Sequence, residues 1–282
     1  MNGMKIRAHA KINLGLNVVG KREDGYHELE MIMAPISLHD LLYINIIDEG
    51  IEISSNSTIM PVNEKNIMYK VAKAMMERYD IKKGVRIHIY KHIPMQAGLA
   101  GGSADGAAVM RAINLLFKLG LSYEELAELG KSIGADIPFC IHEKTAFVSG
   151  IGEKLEFIDN PIHKHIVLIK PRKGVSTKRS FGMLDIANEI HPDCRALKDA
   201  IQENDYDKML KCMGNTLEGV SVKIVPQIGE IKNALLEMGF DTALMSGSGS
   251  CVFALTDDEK LVDLAVDHFR KQKIFAQKAT FL

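Results

Sequence analysis

The sequence has almost no excess of charge of either sign, because 35 basic residues are balanced by 36 acidic ones to a net charge of −1. Proteins that bind chiefly nucleic acid normally carry a basic surplus, since their affinity comes largely from lysine and arginine contacts to phosphates. The balance therefore argues against DNA or RNA as the main ligand of this chain.

Long apolar stretches are also missing. The longest run without Asp, Glu, Lys or Arg is 242–256, which is too short to cross a bilayer and is interrupted by serines and glycines. Near the start of the chain, Lys5, Arg7 and Lys11 leave no apolar core for a signal peptide. We therefore expect a cytoplasmic protein without a membrane span.

Cysteines are few and far apart, at Cys140, Cys194, Cys212 and Cys251. No C-x-x-C pair is present, and the ten histidines include no H-E-x-x-H motif, which argues against a zinc site and a disulfide framework. A G-x-S-x-G nucleophile elbow is missing as well. The pattern predicts scattered reduced thiols and leaves the ligands of any metal ion unknown.

What is present is the composition of an ordinary globular protein, with 46% hydrophobic and 25% charged residues. The 282 residues exceed the usual ~100–200 of a single domain, which predicts two domains. The succession of predicted strands and helices is interrupted around Asp159-Asn160-Pro161 and begins again after it. We therefore place the domain boundary there, between residues 1–160 and 161–282. The mixture of strands and helices predicts an α+β fold rather than a parallel Rossmann sheet.

The first predicted strand alternates between apolar residues and others from Met4 to Val18. One face of this strand should be buried, and the other, which carries Lys11 and Asn13, should line something polar. A lysine on the polar face of a strand is usually a solvated charge, so the strand pattern alone leaves the role of Lys11 open.

Helices are predicted where apolar residues at helical spacing follow a capping residue. Asn63 precedes a helix that runs to Tyr79, and Ser122 with Glu125 forms the S-x-x-E capping box of another. In the second half we expect strands near 166–169, 242–245, 251–255 and 274–280, and helices near 205–213, 226–238 and 258–270. This order is typical of an α+β sandwich.

Two glycine-rich segments could carry chemistry. In the first, Pro94–Ala108, glycines precede a helix whose N–H groups and dipole would attract an anion such as phosphate. The segment is not a Walker A loop, because Ala107 and Ala108 stand where that motif needs Lys and Ser or Thr. The alternative to a phosphate site is an ordinary glycine-rich connection. The second, Ser246–Ser250, is typical of a flexible hairpin loop between two strands.

Asp136 lies in the segment Gly134-Ala135-Asp136-Ile137-Pro138. Its carboxylate is a candidate for proton transfer, because the proline behind it stiffens the chain. An aspartate before a proline-bearing turn often only caps the backbone that follows, so a purely structural role is the alternative.

Three segments taken together resemble, in order and spacing, the motifs of the GHMP small-molecule kinases. They are Ala10-Lys11-Ile12-Asn13-Leu14, Pro94–Ala108 and Ser246-Gly247-Ser248-Gly249-Ser250-Cys251. Further matches to one branch of the family are Asp24-Gly25-Tyr26-His27-Glu28-Leu29, Ile93-Pro94 and Gly134-Ala135-Asp136-Ile137-Pro138-Phe139. The resemblance is strong from Lys5 to about Ile158 and rests beyond that on the last motif and on length.

The resemblance implies a two-domain GHMP-kinase-like fold, with an N-terminal ribosomal-S5-domain-2-like domain that holds the ATP-phosphate loop and a C-terminal ferredoxin-like α/β sandwich. It implies an ATP-dependent kinase that phosphorylates the 2-hydroxyl group of a cytidine-diphosphate-linked methylerythritol in the non-mevalonate route to isoprenoid precursors. ATP is then the cosubstrate and Mg²⁺ the cofactor. The partner is this small molecule, with no nucleic acid and no membrane, and the chain would be a monomer or homodimer.

The resemblance also assigns roles to individual residues. Asp136 is the implied catalytic base, and Lys11 is its charged partner. The residues implied to bind the acceptor substrate are Asn13, Tyr26, His27 and Phe181, the last as an aromatic stacker from the second domain. The residues implied to bind ATP are Asn66, near the adenine, and Pro94, Met95, Gln96, Ala97, Gly98, Leu99, Ala100, Gly101, Gly102, Ser103 and Ala104, around the phosphates.

Two other functions are compatible with parts of this pattern. A kinase of the same family that acts on homoserine, mevalonate or a sugar would share the glycine motifs, although Tyr26 and His27 favour the cytidine-linked substrate. Because the N-terminal half resembles a ribosomal-protein fold, an RNA-binding module or a non-catalytic sensor is the other alternative. The balanced charge and the presence of both Lys11 and Asp136 argue against it.

Overall fold

The structure, a computed structural model, describes residues 2–282. The chain forms two compact units, each assembled from three chain segments. Unit 1 contains the residues up to Ala10 together with Leu38–Ile93 and Ala100–Glu143, and unit 2 contains Lys11–Ser37, Pro94–Leu99 and Lys144–Leu282. The domain division near residue 160 stays a prediction.

Unit 1 contains strands in the order β3-β4-β2. They are the second half of β2 (His27–Ile47), β3 (Ile51–Ser55) and β4 (Gly84–Tyr90). β4 is antiparallel to β2, with Leu41 opposite Tyr90, and parallel to β3. Val85, Ile87 and Ile89 are fully buried, whereas Arg86 and Tyr90 are exposed, so the strand alternates between a buried and a more open face.

Four helices complete unit 1. They are α1 (Ile67–Arg78), α2 (Gly101–Leu116), α3 (Tyr123–Lys131) and α4 (Ile137–His142). The first two pack closely because Gly106 has no side chain, and a Cβ atom there would lie 2.7 Å from Ile67 Cγ2. The predicted capping box at the start of α3 is confirmed, since Ser122 Oγ accepts the Glu125 N–H and Glu125 Oε2 accepts the Ser122 N–H.

The start of α1 differs from the sequence-based expectation. The helix begins at Ile67, and its cap is Asn66 rather than Asn63. Asn66 Oδ1 accepts the N–H of Met68 at 2.8 Å, and Asn66 Nδ2 donates to Pro61 O at 2.6 Å. Two asparagines three residues apart are equally good caps by type, so the sequence could not select between them.

Unit 2 contains two groups of strands. The first consists of most of β1 (Gly3–Lys21), the first half of β2, β5 (Ala146–Gly150), β6 (Lys154–Phe157) and β8 (Gly214–Asn215). β2 is antiparallel to β5, with Leu29 opposite Gly150. β1 is parallel to the very short β8, with Gly15 opposite Gly214.

The second group is a four-stranded antiparallel sheet with the order β11-β7-β10-β9. Its strands are β7 (His165–Lys170), β9 (Thr242–Met245), β10 (Val252–Thr256) and β11 (Phe275–Thr280). Phe253 on β10 lies opposite Leu168 on one side and Leu244 on the other, and all three are buried. Apolar residues on both faces of the central strands explain why these segments have continuous rather than alternating hydrophobicity.

Unit 2 also contains six α-helices and one short 3₁₀ helix, Ile186–Asn188, within the described part of the chain. The α-helices are α5 (Thr177–Gly182), α6 (Cys194–Gln202), α7 (Tyr206–Cys212), α8 (Glu218–Ile224), α9 (Gln227–Glu237) and α10 (Glu259–Lys271). Of these, α9 packs on β9, and α10 packs on β7 and β11. This arrangement of helices on an antiparallel sheet confirms the expected α+β class. Across residues 2–282, no helix has the length and apolarity that a bilayer crossing requires.

Candidate active site

Lys11 and Asn13 on β1 are both buried, with 5% and 1% of their surface exposed. Lys11 Nζ donates to Asn13 Oδ1 at 2.5 Å and to the carbonyl of Gly98 at 3.0 Å. Burying an ammonium group is costly unless it is hydrogen-bonded, so this lysine is held in a defined position. The face of β1 that carries Lys11 is therefore not a solvated surface.

The segment Pro94–Leu99 adopts a conformation that only glycine allows at Gly98. Its φ angle is +74°, and a Cβ atom there would lie 1.9 Å from the carbonyl oxygen of Ser246. The same two segments are joined a little further along, where Cys251 N donates to Ala97 O at 3.1 Å. The first and second glycine-rich segments of the sequence are thus in direct backbone contact within unit 2.

The second glycine-rich segment, Ser246–Ser250, connects β9 to β10 as predicted, but its three serines are buried. Ser246 Oγ donates to Gly98 O at 3.0 Å and accepts the N–H of Asn13 at 3.2 Å. A loop that is buried and hydrogen-bonded in this way has little freedom to move, which argues against the flexible-hairpin interpretation. Unit 2 therefore brings Lys11, Asn13, Gly98 and Ser246 together.

Two polar residues that no sequence motif identified, Asn215 and Glu218, form hydrogen bonds to this loop and to the strand before it. Asn215 donates both Nδ2 hydrogens, to Met245 O at 2.7 Å and to Gly247 O at 2.8 Å. Glu218 Oε2 accepts the N–H of Met245 at 2.8 Å. Both polar side chains are buried. Their sequence context, a polar stretch just before a helix, is indistinguishable from an ordinary helix start, so it gave no specific signal.

In unit 1, the N-terminus of α2 offers a site for an anion. Ala100 precedes the helix in the left-handed region at φ +54° and supplies no side-chain cap, so the first-turn N–H groups have no capping side chain. Gly102 is exposed, and a Cβ atom there would meet only Ile67 Cδ1, at 3.5 Å. The positive end of the helix dipole and these N–H groups favour a phosphate at this position.

A buried ionic cluster holds α2 against the end of β4. Lys91 Nζ donates to Asp105 Oδ2 on α2 at 2.7 Å and also to Asp40 Oδ2. Burial raises the pKa of Asp105 well above its usual range, although the Lys91 ammonium opposes this shift. Asp40 Oδ1 accepts the N–H of Ile93 at 2.9 Å, so the cluster fixes the chain just before Pro94. The two aspartates lie 51 and 14 positions from Lys91 in the chain, and no local pattern links them to it.

Asp136 occupies the N-cap position of α4, but its side chain makes no capping hydrogen bond. Its main-chain carbonyl accepts the N–H of Cys140 at 3.1 Å, and Pro138 lies in the first turn of the helix. The simple structural alternative, an aspartate that caps its own helix, therefore does not describe this residue. Asp136 belongs to unit 1 and Lys11 to unit 2, so their pairing stays a prediction.

His27 and Phe181 are brought together in unit 2, with ring centroids 4.8 Å apart and planes inclined by 33°. Burial, and next the charge of Lys21, lowers the pKa of His27 below its usual value, which favours the neutral ring near pH 7. Tyr26 has a different environment, because it is 61% exposed in the turn between β1 and β2. Of the three aromatic residues implied to hold the base, the structure therefore pairs two.

No group of three or more His, Cys, Asp or Glu residues within 2–282 could hold a metal ion. The four cysteines are free, and Cys140, Cys194 and Cys251 are buried. Burial raises the pKa values of Cys194 and Cys251 to about 12, so these two thiols stay protonated and unreactive at neutral pH. Neither Cys194 nor Cys251 is therefore suited to act as a thiolate nucleophile.

Two family models match regions of this chain. A model of the GHMP kinases N terminal domain matches residues 66–144, and a model of the GHMP kinases C terminal matches residues 197–274. Together the two matches span more than half of the chain. They include the start of α2 and Asp136 in the first case, and the Ser246–Ser250 loop in the second.

Individual relatives match along nearly the whole chain. A 4-diphosphocytidyl-2-C-methyl-D-erythritol kinase of Clostridium acetobutylicum is 48% identical over 96% of this chain and 98% of that protein. One of Bacillus subtilis is 44% identical over 91% of this chain and 89% of that protein.

Solved structures also match this chain over nearly its whole length. A crystal structure of 4-(cytidine 5'-diphospho)-2C-methyl-D-erythritol kinase superposes with a TM-score of 0.85 at 31% identity, over 99% of each chain. A homoserine kinase of Cytophaga hutchinsonii, at 19% identity and a TM-score of 0.78 over 100% of this chain and 95% of that one, shares the fold. The chain therefore belongs to the GHMP kinases, a family of ATP-dependent small-molecule kinases, and to its branch of 4-diphosphocytidyl-2-C-methyl-D-erythritol kinases.

Proposed function

We propose that this protein transfers the γ-phosphoryl group of ATP to the 2-hydroxyl group of 4-diphosphocytidyl-2-C-methyl-D-erythritol. The observation that carries the proposal is the 48% identity, over 96% of the chain, with a relative of that name. The contact between the rings of His27 and Phe181 supports it, because aromatic side chains are a general means of holding an unstacked base. We place the enzyme in the cytoplasm, as a monomer or homodimer.

ATP would bind with its phosphates along the segment from Pro94 to Ala104. The N–H groups of the first turn of α2 would accept the negative charge, and the absence of a side-chain cap at Ala100 leaves them available for this purpose. Glycine at 101 and 102 would allow the phosphates to approach the backbone closely. Asn66 would lie near the adenine with its backbone, since its side chain already caps α1.

The Gly102→Ala variant tests this assignment. The added methyl group fits the fold, because its nearest neighbour would be Ile67 Cδ1 at 3.5 Å, but it would stand where a phosphate approaches. We expect the KM for ATP to rise about tenfold, as for the loss of one charge-assisted hydrogen bond, with an unchanged melting temperature. The control is Gly20→Ala, since a Cβ atom at Gly20 has no neighbour within 4 Å. An unchanged KM in Gly102→Ala would contradict the phosphate assignment.

Mg²⁺ would accompany ATP. Within residues 2–282 no cluster of three potential ligands exists, but Mg²⁺ needs only one or two carboxylates in addition to the substrate phosphates. When bound, it would neutralise part of the charge on the transferring phosphoryl group.

Asp136 would act as the catalytic base. As the acceptor oxygen bonds to the γ-phosphorus atom and the bond to ADP breaks, the hydroxyl proton would pass to the Asp136 carboxylate. Lys11, as the charged partner of this carboxylate, would orient the hydroxyl. Its hydrogen bonds to Gly98 O and Asn13 Oδ1 would hold the ammonium still during transfer, so that little reorganisation is needed.

The acceptor would be selected through its cytosine ring. Phe181 and His27 would contact the base, with the exposed Tyr26 beside them and Asn13 toward the reacting hydroxyl. Because burial and the charge of Lys21 both lower the pKa of His27, its neutral ring can both donate and accept a hydrogen bond at the cytosine edge near pH 7.

The His27→Ala variant should therefore raise the KM for the acceptor about fivefold to a hundredfold, the equivalent of ~1–3 kcal/mol for a lost buried hydrogen bond. The KM for ATP should change by less than a factor of about two, because the phosphate site does not involve this ring. Steady-state kinetics with each substrate varied in turn measures both values. Equal effects on the two KM values would mean that His27 is structural.

A panel of acceptors tests the proposed function itself. Purified protein with ATP and Mg²⁺ is supplied in parallel with the cytidine-linked methylerythritol, homoserine, mevalonate and a hexose, and release of ADP is followed. We expect turnover with the first acceptor only. Faster turnover with one of the others would assign the chain to a different kinase, and binding of single-stranded RNA without any turnover would favour the non-catalytic alternative.

A further inference from the structure

We propose that Ser221, which the sequence motifs do not include, is a positioning residue that determines affinity for the cytidine-linked acceptor. It joins helix α5, which carries Phe181, to the Ser246–Ser250 loop through a chain of buried hydroxyl groups. This inference rests on the proposed function, because it concerns the platform on which the cytosine would stack.

Helix α5 needs an external anchor. It has only six residues, all of them described by the structure, and Ser180 alone among them is buried. A helix this short is unstable by itself, and no buried apolar side chain attaches it to the rest of unit 2. Apart from the contact of its half-buried ring with His27, the position of Phe181 therefore depends on the polar contacts of its neighbours on the helix.

Those contacts are hydroxyl groups on the side of the helix next to Phe181. Ser180 Oγ lies 3.1 Å from Ser221 Oγ, and Thr177 Oγ1 lies 2.8 Å from Ser248 Oγ. Thr177 and Ser180 are three residues apart, so they face the same direction on α5. Both contacts lead to the Ser246–Ser250 loop, one directly and one through Ser221 on α8.

The direction of the hydrogen bonds shows that Ser221 is the central link. Its Oγ donates to the carbonyl oxygen of Ser248 at 3.1 Å, and a carbonyl can only accept. A hydroxyl has one proton, so the bond between Ser180 and Ser221 must be donated by Ser180. The chain therefore runs from Ser180 through Ser221 to the main chain of Ser248, and it contains no partner that could replace Ser221.

The decisive variant is Ser221→Ala. It leaves the Ser180 hydroxyl and the Ser248 carbonyl without this partner and releases one of the two anchors of α5. We expect the KM for the acceptor to rise about three- to tenfold, while kcat and the KM for ATP change less than about twofold. The control is Thr256→Val, which removes another buried hydroxyl of unit 2, one that accepts the N–H of Asp258. This control should lower the melting temperature without changing the KM for the acceptor.

A double-mutant cycle separates positioning from general destabilisation. If Ser221 acts through Phe181, Ser221→Ala should raise the KM much less in a Phe181→Ala background than in the wild type. Independent effects, or a KM for ATP that rises as much as that for the acceptor, would overturn the inference. If Ser221→Ala does not fold, Ser180→Ala removes the same link and keeps the bond from Ser221 to Ser248, and it should show the same selective rise.

The outcome also separates this inference from the proposed function. A wild-type protein that does not phosphorylate the cytidine-linked acceptor overturns both. An active wild type in which neither Ser221→Ala nor Ser180→Ala changes the KM for the acceptor overturns only the role of Ser221.

Discussion

Replacing Asp136 with asparagine should lower kcat by about 10²-fold or more, while binding of both substrates changes by less than about tenfold. Asparagine keeps the size of the side chain but removes its charge and its ability to take the proton of the acceptor hydroxyl. Because the Asp136 side chain makes no capping hydrogen bond to α4, the change should leave stability almost untouched. Steady-state kinetics and a thermal melt of the same preparation measure the two effects.

Asp258→Asn provides a matched control for this variant. Asp258 is also an N-cap aspartate, but its side chain accepts the N–H of Lys260 at 2.8 Å, and asparagine is an equally good cap. The control should retain normal kcat. Near-normal turnover of well-folded Asp136→Asn protein would remove Asp136 from the catalytic machinery and favour a binding or sensing role for the chain.

Replacing Lys11 with methionine should also lower kcat by about 10²-fold, the usual loss when one preorganised donor is removed from a reaction centre. Methionine has a similar length and no charge. It leaves Asn13 Oδ1 without its donor and leaves Gly98 O with Ser246 Oγ as its remaining donor. Since these acceptors are buried, we also expect a loss of about 1–3 kcal/mol in the free energy of unfolding. Chemical denaturation measures the second effect separately from the first.

Lys5→Met is the control for this change, because Lys5 lies on the same strand and is exposed. It should leave both kcat and stability unchanged. In the double variant with Asp136→Asn, Lys11→Met should add little further loss of kcat, since two groups that act as a unit are not additive. Fully multiplicative losses would show that Lys11 supports the fold or the glycine segment without assisting Asp136.

Local patterns predicted the main elements of the fold well. The alternation from Met4 to Val18 identified β1, and the S-x-x-E box identified the start of α3, because each of these signals depends on neighbouring residues only. The sequence did not predict α5, whose residues include no apolar repeat and whose single buried residue is a serine. A helix held by hydroxyl contacts to distant segments has no local signature.

The contacts that hold the candidate site together also have no local sequence signal. Glycine spacing and the resemblance to a family identified the segments that would bind ATP and the acceptor, but not what holds them in place. The contacts of Lys91 with Asp40 and Asp105, and those of Asn215 with the Ser246–Ser250 loop, join residues far apart in the chain. Such pairings depend on the folded arrangement, so single-residue patterns could not reveal them.

The central claim is that the enzyme phosphorylates an alcohol that it recognises through cytosine. The most direct test measures kcat/KM with 4-diphosphocytidyl-2-C-methyl-D-erythritol and with the same molecule lacking the cytosine ring, and locates the new phosphate by ³¹P NMR. We predict phosphorylation at the 2-hydroxyl group, with kcat/KM at least about tenfold lower when the base is missing, as expected when buried polar groups lose their partner. Equal kcat/KM values for the two acceptors, or a phosphate on another hydroxyl, would contradict the account.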